Sequence, residues 1–260
     1  MFPSHDRKEF ESTNHILKLL QFYNSFSIQT SFRSEKTNHT HEKTTDQFYL
    51  TSSSKAEALN KLKLYQRTQL MQYLNTNGTI LELFAGRGNL TKALYAKNSA
   101  HNILVEQNRE SHEISKKNLD PARTTFFLMD NSKFIQNELL NLKIQDLTMV
   151  DFDAFGSTTA IIDQFFTQYK LTRSLVIGIT DGFGSHITRI YRDKNKLINT
   201  LLRFDYPLIP RQGMGIQMFM IKLIDLYMQK IAKKYNYKLE KVNRTHNRKH
   251  TVYCGFILRP

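Results

Sequence analysis

The stretch Thr79-Ile-Leu-Glu-Leu-Phe-Ala-Gly-Arg-Gly88 decides the fold class predicted for this chain. It begins as an apolar run that contains one acid, Glu82. The run breaks at Gly86 and Gly88, and a helix-compatible segment over 89–97 follows directly. Glycines in such a turn let the backbone approach a ligand closely, and a helix N-terminus presents unpaired N–H groups. The stretch therefore predicts a strand, a ligand-binding turn and a helix.

Acidic residues end four successive apolar runs. The runs finish, at intervals of 21 to 24 residues, at Glu82, at Glu106, at Asp130, and at Asp151 with Asp153. Helical patterns fill the intervals, at 109–119, 132–142 and 158–169. One strand, one helix and two short loops need about this length of chain, so the spacing predicts a parallel sheet. Because ligands bind at the carboxyl ends of parallel strands, these acids are expected to line one edge.

The order of acid and glycines favours one class of ligand. Glu82 precedes the glycines, where a carboxylate can meet the amino group of a methionine-type ligand. A dinucleotide-binding turn is the rival interpretation, but a third glycine would fall at position 91, which is Thr91. We therefore expect S-adenosylmethionine as the cofactor.

Residues 79–180 resemble the core of class I S-adenosylmethionine-dependent methyltransferases. The resemblance implies a Rossmann-like α/β fold, with a seven-stranded, mostly parallel sheet and an antiparallel carboxyl-terminal hairpin. It implies that the acid of the second strand holds the ribose hydroxyls and that a polar residue after the third meets the adenine amine. The cofactor contacts that it implies are Glu82, Phe84, Ala85, Gly86, Gly88, Glu106, Gln107, Asp130, Asn131 and Asp151.

The segment Asp153-Ala-Phe-Gly156 ends the fourth predicted strand. It resembles the motif of enzymes that methylate exocyclic amines of bases, in particular the Asp-Pro-Phe-Gly form of tRNA guanine-N2 dimethyltransferases, and Ser157 continues the likeness. In this catalytic interpretation Asp153 and the Ala154 carbonyl accept the amine N–H groups, while Phe155 stacks on the base. Ala154 replaces the usual proline, which makes the turn less rigid. The simpler alternative is that Asp153 caps the next helix.

The position of the only cysteine bears on which methylation mechanism is possible. Methylation at C5 of a pyrimidine needs a thiolate nucleophile, and residues 82–91 do resemble RNA uracil-C5 methyltransferases. Cys254, however, lies in a late strand-like run over 251–258, where a buried packing thiol is expected. The C5 mechanism is therefore excluded from our prediction. A single cysteine also excludes a disulfide framework and a Cys-based zinc site, and we predict no metal site.

Charge and composition indicate the partners. The chain has 260 residues, 40% of them hydrophobic, and a net charge of +14. It has no apolar run of membrane-spanning length and no signal-peptide pattern, so we expect a cytoplasmic protein. Residues 229–260 contain nine Lys and Arg against Glu240 alone. This excess favours a nucleic acid, RNA over DNA, although a solvated basic hairpin is the alternative. The predicted phosphate contacts are Arg189, Arg192, Arg211, Arg244, Arg248 and Lys249.

Two regions follow from the patterns. Residues 1–78 form a predicted helical extension with a polar linker at 28–46 and a helix over 55–74. Residues 79–260 form the predicted catalytic domain. It continues with a fifth strand, a long helix over 215–235 whose apolar stripe is expected to lie in the core, and a hairpin.

The predicted function is methylation of an exocyclic amine on a nucleic-acid base, with guanine N2 in tRNA-like RNA favoured. The alternatives are DNA adenine-N6 or cytosine-N4 methylation, binding without catalysis, and methylation of a protein or small molecule.

Overall fold

Strands and helices alternate along the described part of the chain. The computed structural model describes residues 61–75, 77–142, 144, 146–154, 156–182, 216–246 and 251–260. The strands are β1 (Thr79–Leu83), β2 (His101–Glu106), β3 (Thr124–Leu128), β4 (Leu147–Asp153), β5 (Leu175–Asp181), β6 (Lys238–His246) and β7 (Val252–Arg259). The helices are α1 (Lys61–Met71), a π-helical turn (Thr91–Tyr95) continued by α2 (Ala96–Asn98), α3 (Arg109–Asn118), α4 (Asn131–Asn137), α5 (Thr159–Gln168) and α6 (Ile216–Tyr235).

All seven strands pair into one sheet. Their order is β3-β2-β1-β4-β5-β7-β6. The first five strands are parallel, whereas β7 runs antiparallel to both β5 and β6. The last strand therefore lies between the fifth and the sixth. This arrangement confirms the predicted Rossmann-like α/β sheet with an antiparallel carboxyl-terminal hairpin.

The larger core lies on the face of the sheet that α4, α5 and α6 cover. Phe134 of α4, Phe165 of α5 and Phe219 of α6 are fully buried against strand residues. Burial of each such side chain contributes about 1.5–3 kcal/mol. The apolar stripe predicted on the long helix is confirmed as core at Phe219, Met220, Leu223, Ile224 and Ile231.

The opposite face has a groove that holds α1. Four residues from four strands stand in register across this face: Glu82, Asp151, Gly178 and Gly255. A Cβ atom at Gly178 would lie 2.7 Å from Nε of Arg67, and one at Gly255 would lie 2.5 Å from Cδ2 of Leu70. These distances are too short for real contacts, so α1 packs this closely only because both positions lack a side chain.

Three predicted boundaries differ from the structure by more than one residue. The helix predicted over 55–74 ends at Met71. The helix predicted over 132–142 ends at Asn137, because the N–H of Leu139 bonds to the carbonyl of Phe134 five residues earlier and widens the turn. The third strand ends at Leu128, and Asp130 lies beyond it as the N-cap of α4. The linker over 28–46 lies outside the described residues.

The described residues belong to one unit, Thr51–Pro260. Within them, no helix combines the length and the apolar character needed to cross a lipid bilayer.

Candidate functional site

The turn after β1 is built from residues with positive φ. Phe84, Gly86 and Gly88 have φ values of 61°, 57° and 68°. A Cβ atom at Gly88 would lie 2.9 Å from Cδ1 of Leu119, whereas one at Gly86 would have no atom of the described residues within 4 Å. Gly88 is thus needed for packing, and Gly86 exposes its backbone to open space. Asn131, which is buried, accepts a hydrogen bond from the Phe84 N–H at 3.2 Å and holds the turn.

Glu106 lies at the end of β2 and binds the same turn. One carboxylate oxygen accepts the N–H of Gly86 at 2.8 Å, and the other accepts the N–H of Asn108 at 2.6 Å. A carboxylate has about four acceptor positions, so each oxygen keeps capacity for a further donor. The carboxylate thus fits two vicinal hydroxyl groups. Gln107 follows it and is exposed.

Asp130 caps α4 and can still contact a cofactor. Its Oδ1 accepts the N–H groups of Ser132 at 2.9 Å and Lys133 at 3.2 Å, which caps α4. The side chain is exposed, and its Oδ2 receives no hydrogen bond from the residues that the structure describes. A carboxylate with this oxygen unoccupied can accept an amine N–H.

Glu82 is buried beneath the turn. The Thr91 hydroxyl donates a hydrogen bond to its carboxylate. Burial, followed by the charge of Asp151 on the neighbouring strand, raises the pKa of Glu82 from 4.5 to about 8. Glu82 is therefore mostly protonated at neutral pH. Ala85 is also buried, and its N–H bonds to the Val105 carbonyl at 3.0 Å.

Asp151 is the centre of a buried polar network. Arg67 of α1 contacts both of its carboxylate oxygens, with Nε to Oδ2 at 2.9 Å, and the Tyr95 hydroxyl donates to Oδ2. Arg67 also donates to the hydroxyl of Thr180 at 3.0 Å. Burial, the largest single influence, lowers the pKa of Arg67, but Asp151, Tyr95 and Asp153 together outweigh it and raise the pKa. The side chains of Asp151 and Arg67 are fully buried, so this ion pair fixes α1 to the sheet.

Asp153 lies one step further along β4, at the carboxyl edge of the sheet. Lys63 of α1 places its ammonium on the Asp153 carboxylate. Lys63 and Arg67 are separated by about one helical turn, and Asp153 and Asp151 by two strand residues on the same face. One turn of a helix and two residues of a strand span similar distances, so two cations of α1 can contact two acids of β4. Ala154 follows and is buried.

The residue before α5 is held by β5. α5 begins at Thr159, and Thr158 donates both its N–H and its hydroxyl to Oδ2 of Asp181 at 3.3 Å. Among the contacts of the described residues, Asp153 pairs with Lys63 and not with an N–H group of α5. Phe155 lies outside the described residues.

Arg244 is the one predicted phosphate contact among the described residues. It lies within β6, donates to Asp225 at 2.8 Å and packs over the ring of Phe256 at 5.5 Å. Lys241 contacts the same Asp225 at 2.9 Å. Arg244 is therefore engaged with the protein itself. Outside the described residues lie Arg189, Arg192, Arg211, Arg248 and Lys249.

Cys254 is buried in β7, opposite Ile179 of β5. Burial raises the pKa of its thiol. The prediction of a packing thiol is confirmed.

Comparisons with known proteins address the fold. No protein-family model matches the sequence, and no curated protein matches it. Trm1 from Pyrococcus horikoshii, solved with S-adenosyl-L-methionine, has 14% identity and a TM-score of 0.61 over 81% of this chain and 58% of its own. This chain has the class I methyltransferase fold.

Two further solved structures resemble this chain with lower scores. TYW2 from P. horikoshii, solved with MeSAdo, has 15% identity and a TM-score of 0.45 over 79% of this chain and 65% of its own. TrmK from M. capricolum, solved with S-adenosyl-homocysteine, has 10% identity and a TM-score of 0.44 over 75% of this chain and 67% of its own. The fold assignment depends on the Trm1 similarity and on the strand order.

The class I methyltransferase fold brings most predicted residues to one edge. Direct hydrogen bonds join Glu106 to Gly86 and Asn131 to Phe84, and cross-strand register joins Glu82 to Asp151. Lys63, Arg67, Tyr95 and Asp181 were absent from the sequence prediction. The spacing of Lys63 and Arg67 puts two cations on one helix face, but this spacing is common on exposed helices and does not identify their partners.

Proposed function

We propose that this protein transfers a methyl group from S-adenosylmethionine to an exocyclic amine of an RNA base, with guanine N2 of a tRNA as the favoured target. The observation that carries this proposal is the Asp153 carboxylate, which lies at the carboxyl end of a central strand and already receives an amine, that of Lys63. A carboxylate that accepts N–H donors at this edge can orient an acceptor amine.

The residues around the β1 turn fit the cofactor. Glu106 keeps one acceptor position on each oxygen for the two ribose hydroxyls, and Gly86 leaves space beside its backbone. Asp130 keeps Oδ2 for the adenine amine. Glu82 would hold the amino group of the methionine part, which requires that its carboxyl group loses a proton.

The protein's contribution to the transfer would be positioning. When bound, S-adenosylmethionine would supply an electrophilic methyl carbon to the lone pair of the acceptor amine. Sulfur would keep the electron pair of the broken carbon–sulfur bond, and the proton released from the amine would pass to the Asp153 carboxylate or to water. Asp153 and the carbonyl of Ala154 would accept the two N–H groups of the acceptor amine, which directs its lone pair. Phe155 would stack on the base, in line with the motif that it belongs to.

Three observations favour tRNA as the substrate. The segment 153–157 resembles the motif of tRNA guanine-N2 dimethyltransferases, and Trm1, which is such an enzyme, has a similar fold. The net charge of +14 suits a polyanion. The basic residues at Arg248 and Lys249 are proposed to contact its phosphates.

The test is transfer of tritiated methyl groups to unmodified tRNA and to DNA. Wild type is expected to label tRNA, and digestion to nucleosides is expected to give N2-methylguanosine. Asp153→Ala is expected to bind S-adenosylhomocysteine as wild type does but to lose at least about 100-fold in kcat, because the acceptor amine is no longer oriented.

Asp163→Ala is the matched control. Asp163 is a partly exposed acid that pairs with Lys234 on the surface at 2.8 Å, and its loss is expected to leave transfer unchanged. Labelling of DNA alone, or equal activity of wild type and Asp153→Ala, would reject the proposal.

A further inference from the structure

Lys63 has no place in the proposed chemistry, yet it occupies the proposed acceptor site. Its Nζ binds the Asp153 carboxylate, the same group that would receive the acceptor amine. The side chains of Lys63 and Asp153 are 18% and 12% exposed, so the pair is partly withdrawn from water but within reach of a ligand. An ammonium and an exocyclic amine present the same N–H donors to a carboxylate.

The backbone that carries Lys63 is held in place. One helical turn further along α1, Arg67 is fully buried and bound to Asp151 and Thr180. The neighbouring Gln66 donates to Asn243 of β6 at 2.7 Å. With α1 anchored at these points, Lys63 can leave Asp153 by rotation of its own flexible side chain.

The charges around Asp153 favour a cation bound to its carboxylate. Asp151 and Asp153 are two acids on one face of the sheet, and among the described residues Arg67 and Lys63 of α1 are the cations that contact them. Arg67 is committed to Asp151. Lys63 therefore provides the compensating charge for Asp153 while no acceptor is bound.

We infer that Lys63 competes with the acceptor for Asp153. Its ammonium binds the Asp153 carboxylate in the free protein, and an acceptor amine binds there by displacing it. This inference rests on the proposed function. A small amine or free nucleoside, which brings few other contacts, displaces Lys63 poorly. A base carried by an RNA also has phosphate contacts, which offset the cost of displacement. Lys63 thus lowers the affinity for every acceptor by the same factor, and acceptors with further contacts keep a useful affinity.

The test compares three variants of α1 in methyl transfer to unmodified tRNA. Lys63→Met keeps the apolar stem and removes the donor, and it is expected to lower KM for tRNA by about 5- to 20-fold while kcat changes by less than about 2-fold. Lys63→Arg keeps a cation on Asp153 and is expected to keep a KM near that of wild type. Guanosine, offered as a free nucleoside, is expected to gain from Lys63→Met by a factor similar to that of tRNA, because the cost of displacing Lys63 is the same for both acceptors.

Lys61→Met is the matched control, because Lys61 is exposed on the same helix and its loss removes the same charge. It is expected to leave KM for tRNA unchanged or to raise it slightly. Calorimetric binding of S-adenosylhomocysteine and thermal unfolding establish that each variant is folded.

A KM in Lys63→Met that equals or exceeds that of Lys61→Met would overturn the inference. Methylation of Lys63 itself, detected by mass spectrometry after incubation of wild type with S-adenosylmethionine alone, would also overturn it, because Lys63 would then be an acceptor. If wild type labels tRNA but KM does not fall, the inference alone fails. If wild type labels no RNA, the proposed function fails and the inference fails with it.

Discussion

Replacement of Glu82 by glutamine is expected to remove a pH-dependent loss of stability from this protein. In the folded chain, burial and the charge of Asp151 raise the pKa of Glu82 to about 8, against 4.5 for an ordinary glutamate. The folded state therefore binds a proton that the unfolded state releases between these values. The resulting stabilisation is complete below pH 4.5 and is lost as the pH rises through 8.

The magnitude follows from the two pKa values. Each pH unit in this window changes the free energy of unfolding by about 1.4 kcal/mol, so the full effect amounts to roughly 4–5 kcal/mol. Between pH 5.5 and 7.5 the contribution of Glu82 is expected to decrease by about 2.5 kcal/mol. Glutamine has nearly the same shape, does not titrate, and can still accept the hydrogen bond from Thr91.

Urea unfolding, followed by circular dichroism at pH 5.5, 6.5 and 7.5, measures the effect. The free energy of unfolding of wild type minus that of Glu82→Gln is expected to fall by about 2.5 kcal/mol over this range. Glu110→Gln is the control, since Glu110 is exposed and contacts only the surface residue Arg87 among the ion pairs described. A difference between wild type and Glu82→Gln that stays constant within about 0.5 kcal/mol would refute the reasoning.

Three further substitutions test how α1 and the turn are built, each by urea unfolding. Arg67→Met is expected to lower the free energy of unfolding by about 3–5 kcal/mol, because it leaves Asp151 buried without its cation. Adding Asp151→Leu is expected to restore most of this stability. Equal stability of the single and double variants would contradict the prediction. Gly178→Ala is expected to cost about 1–3 kcal/mol, since its Cβ would lie 2.7 Å from a fully buried Arg67, whereas Gly156→Ala, with open space, is expected to change stability by less than about 0.5 kcal/mol. Gly86→Ala is expected to lower the free energy of unfolding by only about 1 kcal/mol, because of its positive φ. Its affinity for S-adenosylhomocysteine, measured by calorimetry, is expected to fall at least 10-fold, because the new methyl group enters the space beside the turn. An unchanged affinity would exclude this turn from the cofactor site.

The amino-acid sequence by itself determined the order of strands and helices and the position of the turn. Apolar runs, the glycines at 86 and 88 and the regular spacing of acids are local signals, and each element mostly follows from its own residues. The apolar stripe of α6 and the burial of Cys254 were predictable for the same reason. Helix ends were less predictable, because the end of α4 depends on one widened turn at Leu139.

Only the tertiary structure decided what α1 does. In the sequence, Lys63 and Arg67 look like ordinary surface cations of a helix, and Gly178 and Gly255 give no sign of a binding groove. The groove exists because residues from separate strands come into register across the sheet, next to the acids of β4. Burial of an arginine is favourable only beside a buried acid that accepts its hydrogen bonds, and Asp151 is 84 residues away in the chain. The distance along the chain hides this pairing from any local pattern, and the close approach of α1 to the sheet creates it.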